Sequence, residues 1–232
     1  MARGAAESRR SWAAATPTGA RPPPPRARGR GAENSACARV PGYDPHIELE
    51  LTSALTLIEG RAHYERVVRA VMHAERSVWI ATANLKELMV EDERALGRRR
   101  SYRSVLDVLA ARAERGVELR VLHAAPPSRP FRDAFDRLPT LVRGGMELRC
   151  CPRVHFKLVV VDARLVYVGS ANWTGAGLGA RGEGKRNFEM GILTEDDAVI
   201  DAVQASFDRV WSGAECARCR LRDRCEMPLD AR

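Results

Sequence analysis

The chain reads as an α/β fold: a mixed sheet sandwiched between helices, with a disordered N-terminal tail and a short Cys-rich extension at the C-terminus. Two observations predict this. Short apolar runs alternate along the chain with longer stretches of helical periodicity, and Gly or Pro closes several of the junctions between them. No internal duplication is visible.

The elements follow in order. Ile47, Leu49 and Leu51 alternate with polar residues, a half-buried strand. Residues 62–74 place Tyr64, Val67, Val68, Val71 and Met72 on one helical face, and residues 77–81 form the next strand. A helix is expected over 101–115 with Val105, Leu106, Val108 and Leu109 inward, closed by Gly116 at C′. Strand 117–122 stops at Pro126-Pro127; helix 131–142 ends at Gly144-Gly145, ahead of strand 146–150. Three closely spaced strands then cover 156–161, 165–168 and 188–193, the last two separated by a Gly-rich loop over 175–184. The final helix, 195–211, follows Thr194 as its expected N-cap, with Asp196 and Asp197 in its first turn.

Composition narrows the partners only slightly. The 232 residues carry a formal net charge of +8. Residues 1–45 hold eight Arg against Glu7, Glu33 and Asp44, so most of the excess lies in the tail and the remainder is mildly basic. The tail lacks apolar periodicity and contains four consecutive prolines from Pro22. A solvated tail, an upstream start codon, a basic arm on nucleic acid and an organelle transit peptide all fit it. Lysine is scarce, with Lys86, Lys157 and Lys185 alone, so Arg abundance is no sign of phosphate binding. The aliphatic run 158–161 is far too short to span a bilayer, and no apolar stretch follows the basic start. The expectation is a soluble, cytoplasmic protein with no transmembrane segment.

The chemistry concentrates in His155-Phe-Lys157-Leu-Val-Val-Val-Asp162, followed by Gly169-Ser170-Ala171-Asn172. Two residues apart on a strand, His155 and Lys157 leave one face, with Phe156 directed to the buried side. Ser170 and Asn172 at the end of the next strand bring a hydroxyl and an amide to the same spot. Imidazole, ammonium, hydroxyl and amide together suit a phosphate: the first attacks or moves a proton, the others stabilise the equatorial oxygens. An isolated His-x-Lys would be a core histidine beside a snorkelling lysine. Six specified letters at fixed spacing are a different matter.

This string resembles the HKD motif of the phospholipase D superfamily, and the likeness extends over roughly residues 47–211. Residues 64–81 look like the family's opening unit, and Asn187-Phe188-Glu189 resembles its downstream Asn-x-Glu. The resemblance implies a two-step phosphoryl transfer without a catalytic cofactor. His155 attacks phosphorus; a second histidine protonates the leaving oxygen and then activates water. It implies that Lys157, Ser170 and Asn172 bind the non-bridging oxygens, that Glu189 orients an active-site histidine, and that Asp162 fixes a structural contact. Members with one motif complete the site by dimerising about a two-fold axis, so a homodimer is expected.

For substrate, the resemblance leaves nucleic acid ahead of phospholipid, because short single-motif members include nucleases. Arg98-Arg99-Arg100, Arg103 and Lys185-Arg186 are candidates for a phosphate-tracking surface, or else part of a solvated loop. The leading reading is a nuclease. Its rivals are a phospholipid phosphodiesterase or phosphatidyltransferase, and a non-catalytic nucleic-acid-binding module.

A second motif follows the last helix. Cys216, Cys219 and Cys225 form C-x2-C-x5-C, interleaved with Arg218, Arg220, Arg222 and Arg224. A redox or regulatory cluster and unliganded cysteines are two readings; in a reducing compartment such spacing points first to structural Zn²⁺ or an iron–sulfur cluster rather than disulfides. Both want a fourth ligand, for which Cys37, Cys150 and Cys151 are available and Cys151 is taken. The spacing is similar to the cysteine staple of Cas4- and AddB-type nucleases, which implies a [4Fe–4S] cluster. The expected organisation is therefore a tail over 1–45, a catalytic domain over 46–212 and a metal-binding extension over 213–232.

Overall fold

In a computed structural model, residues 55–92 and 101–231 are described. The expected tail, the strand around Ile47–Leu51, Cys37 and Arg98 to Arg100 lie outside them.

The described residues build a seven-stranded mixed sheet. Its strands are β1 (Thr56–Glu59), β2 (Ser77–Thr82), β5 (Glu118–His123), β6 (Glu147–Cys150), β7 (Leu158–Val161), β8 (Leu165–Gly169) and β9 (Met190–Thr194), in spatial order β1-β9-β8-β7-β2-β5-β6. β5 runs parallel to both β2 and β6; all other neighbours are antiparallel. A separate pair joins β3 (Met89–Glu91) to β4 (Tyr102–Ser104).

Helices cover both faces, as expected. On one side pack a π-helical turn (His63–Val68) continuing into α1 (Arg69–Met72), then α2 (Val105–Ala113) and α3 (Arg129–Asp136). Their Tyr64, Val68, Leu106, Leu109 and Phe135 share one core with Val159 and Val161 of β7. On the other side α4 (Asp197–Trp211) sets Ile200, Phe207 and Trp211 against Leu158, Val160 and Val166. All four residues of β7 are therefore buried, which explains a strand that is apolar without alternation.

Several element boundaries differ from the sequence reading. The helix expected from residue 101 begins only at Val105, because Tyr102–Ser104 pairs with β3 and the Ser104 hydroxyl caps Leu106 N–H at 3.0 Å. The helix expected over 131–142 starts earlier and stops at Asp136. Pro130 suits its first turn, whereas Pro139 removes an N–H beyond its end. The last helix is capped by Asp196, which accepts from Val199 N–H at 3.0 Å; Thr194 instead accepts from Asp196 N–H. Gly116, with φ +86°, closes the second helix as expected. Strand β7 begins at Leu158, so His155 and Lys157 stand just before the regular ladder rather than within it, and Phe156 is exposed.

Candidate active site

Topology gathers the candidate residues. β7 is antiparallel to β2 and β8, and β8 to β9. The start of β7, the ends of β8 and β2 and the start of β9 consequently share one end of the sheet. His155 and Lys157 enter β7 there, Ser170 and Asn172 leave β8, and Glu189 precedes β9.

Local bonds hold each group. The Lys157 ammonium donates to the His155 carbonyl at 2.9 Å and lies 3.3 Å from His155 Nδ1, so the two side chains do share one side. Gly169 N–H donates to the Lys157 carbonyl at 3.1 Å, which ties the histidine segment to the Gly-Ser turn. The Ser170 hydroxyl donates to Glu189 Oε2 and accepts from Met190 N–H at 3.0 Å; Asn187 Nδ2 donates to Glu189 Oε1 at 3.0 Å. Both carboxylate oxygens are thus held by side chains.

Asn172 is fixed by its oxygen. Its Oδ1 lies 3.2 Å from the Thr82 hydroxyl and accepts from Asn84 N–H at 3.1 Å. An amide anchored in that way presents its NH₂, the donor end, as the group available to an anion. Thr82 also accepts from Trp173 N–H at 2.9 Å, so one buried hydroxyl at the end of β2 sets the whole turn. Sequence reasoning missed Thr82; its only signal was a polar residue closing an otherwise apolar strand.

Asp162 is placed elsewhere. It occupies the β7–β8 turn with φ +56°, and its carboxylate accepts from Glu75 N–H (3.0 Å), Arg76 N–H (2.7 Å) and Ser77 N–H (2.9 Å). Burial pushes this carboxyl up, but the three backbone donors outweigh it and leave it below the ordinary range. Asp162 fastens the entry of β2, at the opposite end of the strands from His155.

Two further buried groups underlie the site. Tyr167 lies across the paired Gly169 and Gly191, and its hydroxyl accepts from Ala171 N–H at 3.3 Å. Burial, partly opposed by that hydrogen bond and reinforced by the charge of Glu189, pushes the phenol up to about 12. His63 meets the Tyr167 ring edge-on at 5.4 Å, its Nδ1 lies 3.2 Å from the Gly60 carbonyl, and its Nε2 is buried without a partner. Burial lowers the His63 pKa, more than Gly60 and Glu189 raise it. No motif marks either residue.

The described cysteines have come together as well. Cys150 and Cys151, at the end of β6, share one pocket with Cys216, Cys219 and Cys225. None of the five is in a disulfide. As placed, no three His, Cys, Asp or Glu side chains among the described residues form a metal site.

Comparison with known proteins gives this arrangement its family. A model for the family described as "Cardiolipin synthase, PLD-like domain" matches residues 67–211, more than half of the chain. The protein belongs to that family of PLD-like domains, within the phospholipase D superfamily. The mitochondrial cardiolipin hydrolase of Xenopus laevis is 34% identical over 58 residues, which is 25% of each chain. The matched part thus spans about a quarter of that relative. Among solved structures, NucT from Helicobacter pylori (TM-score 0.48, 14% identity) covers 67% of this chain and 94% of its own. Nuc from Salmonella typhimurium, a phospholipase D family member (TM-score 0.47, 17% identity), covers 68% and 94%. No helix among the described residues is long and apolar enough to cross a membrane.

Proposed function

We propose that the protein is a phosphodiesterase that cleaves nucleic acid through a phosphohistidine, at a site completed by a second copy of the chain. One observation carries this reading: an exposed His155 with Lys157 stands at the sheet end that also bears Ser170, Asn172 and Glu189.

The chemistry follows from these groups. A ring nitrogen of His155 attacks phosphorus as the bond to the leaving oxygen breaks, and a second imidazolium gives that oxygen its proton. Water, deprotonated by the second imidazole, then displaces His155 from phosphorus. Lys157 and the Asn172 amide neutralise the charge on the non-bridging oxygens. With both oxygens of Glu189 held, its carboxylate is a rigid acceptor for a protonated imidazole.

Among the described residues, no other histidine is exposed at this end of the sheet. His63 and His123 are buried, and burial lowers the pKa of both; His73 bonds to the Arg69 carbonyl at the end of α1, beside the start of β2. A two-fold axis through this end of the sheet would supply the partner's His155.

The loop between β8 and β9 favours nucleic acid. Arg181 and Lys185 are exposed, Arg186 is half-exposed, and the loop then presents a fully exposed Phe188 immediately before Glu189. Cations for a phosphate backbone interleaved with an aromatic for a base fit a single strand. A phospholipid reading draws on the family description and the cardiolipin hydrolase relative, and on the exposed Phe156 and Met190.

The test is phosphodiester cleavage by wild type and His155→Ala in EDTA, offered single- and double-stranded DNA, RNA and phospholipid vesicles. Cleavage of a nucleic acid that vanishes in the variant supports the proposal. Cleavage of vesicles alone transfers it to lipid. Binding of nucleic acid without cleavage rejects the enzyme reading altogether.

A further inference from the structure

The phosphodiesterase reading leaves the cysteines unused. Five of them, from two segments far apart in sequence, face a common pocket at the surface where β6 meets the C-terminal extension. The pocket, which Arg153 and Leu221 also line, has a volume of about 20 Å³ and is open to the surface. Its surroundings are cationic. Arg153 hydrogen-bonds to the Cys219 sulfur, and Arg218, Arg220, Arg222 and Arg224 lie among the extension's cysteines in sequence. Nearby guanidinium groups offset the negative charge that several thiolates would gather around one cation.

The five are not equivalent. The Cys150 thiol donates to the Ala124 carbonyl at 3.7 Å, which directs it into the protein. Cys151 lies within electrostatic reach of Cys216, Cys219 and Cys225 together, one thiol from the sheet facing three from the extension. The extension carries a 3-10 turn at Arg222–Arg224 within a run of turns and no longer helix. As placed, the thiols do not form a metal site, so an ion would have to draw the turns of the extension inward.

We propose that Cys151, Cys216, Cys219 and Cys225 bind one thiophilic divalent cation of the zinc class, tetrahedrally. Four thiolates are the ligand set such an ion takes at a structural site. The position gives the ion a task. Cys151 donates its N–H to the His123 carbonyl at 2.9 Å, and its own carbonyl accepts from Val154 N–H at 2.9 Å. The turn thus formed runs directly into His155. A metal at Cys151 staples the C-terminal extension to the segment that presents the exposed histidine, fixing that segment from the far side of the sheet end.

The experiment uses the full chain, expressed with zinc in the medium and purified without chelator, with metal content measured by atomic emission. About one zinc per chain is expected. Cys151→Ser and Cys219→Ser should each lower it to about a tenth or less, while Cys150→Ser keeps it. Because a serine variant can fail by misfolding, the wild type is also stripped and titrated with Co²⁺. Intense thiolate-to-cobalt charge transfer with tetrahedral d–d bands supports the proposal. Absence of Co²⁺ uptake, iron with sulfide absorption in place of zinc, or loss of metal from Cys150→Ser equal to that from Cys151→Ser would each overturn it.

Discussion

Ser170 gives its hydroxyl proton to Glu189, while the Met190 amide gives one to Ser170. With its single proton on Glu189, the serine of the Gly-Ser turn is a clamp on the carboxylate. If Glu189 orients an imidazolium, removing its charge should cost far more than removing the clamp. Glu189→Gln is expected to lower kcat by about 10²–10⁴-fold, the span attributable to assisted proton transfer. Ser170→Ala should fall well short of that, because Asn187 still holds the other oxygen. Steady-state rates on the best substrate, compared for the two variants, decide the order.

Asp162 has a structural task that can be separated from catalysis. Its lowered carboxyl means that stability is added when the group is ionised, in full above the ordinary value of 3.8, and lost as pH falls through the lowered folded value. Asp162→Asn should destabilise the fold by about 1–3 kcal/mol at neutral pH, because bonds to a charged acceptor are weakened. That corresponds to a fall of several degrees in Tm. The difference from wild type should shrink in acid. Thermal melts of both proteins from neutral pH down to about pH 3 test it, and cleavage per folded molecule should be unchanged.

The contrast between these residues shows what was legible in advance. His155, Lys157, Ser170, Asn172 and Glu189 stood out because they resemble a family motif whose strand–turn–strand unit sets their spacing, and the fold brings them to one end of the sheet. Strand β7 and α4 were readable because burial on both faces, or on one stripe, leaves a pattern in sequence. His63 and Tyr167 left none, and Thr82 only a polar residue closing an apolar strand. Thr82 reaches the site from β2 and His63 from the π-helical turn, while Tyr167 lies in β8 itself, packed against Gly169 and Gly191. Strand β4 was hidden for a different reason: three residues are too few to show a period, and Tyr102–Ser104 merges with the helix behind it. The exposure of Phe156 could not be foreseen while β7 was taken to begin there. The pairing of Cys151 with the extension likewise depends on β6 ending beside α4's C-terminus, a relation that no local pattern carries.

Glycine at position 169 is demanded by Tyr167. A Cβ there would sit 2.4 Å from the Tyr167 hydroxyl and 2.6 Å from the Met190 carbonyl, and one on Gly191 would sit 2.2 Å from the same ring. The backbone carbonyl and the packed phenol leave little room to yield. Gly169→Ala should therefore cost about 1–3 kcal/mol through overpacking. It should also weaken catalysis, since Gly169 N–H holds the Lys157 carbonyl. The double variant with Tyr167→Phe removes the closest of these contacts and should recover part of the stability. Denaturant midpoints for the single and double variants measure that recovery.

The buried His63 sets a limit on the acid side. Its Nδ1 faces the Gly60 carbonyl and so carries the proton, leaving Nε2 bare and without a partner in the core. Burial lowers its pKa below the ordinary 6.5, and His123 is shifted in the same direction by the same cause. The sign is then fixed. Below 6.5 the unfolded chain takes up protons that the folded chain refuses, so stability declines as pH falls through that value. Asn at position 63 keeps a donor for the Gly60 carbonyl and removes the titration. His63→Asn is expected to be less stable than wild type at pH 8, through the lost ring contact with Tyr167, yet to lose less stability between pH 7 and pH 5. Unfolding free energies of both proteins across that interval test the point. Parallel curves would show that His63 is protonated without penalty, and that the charge on Glu189 reaches it strongly enough to compensate for burial.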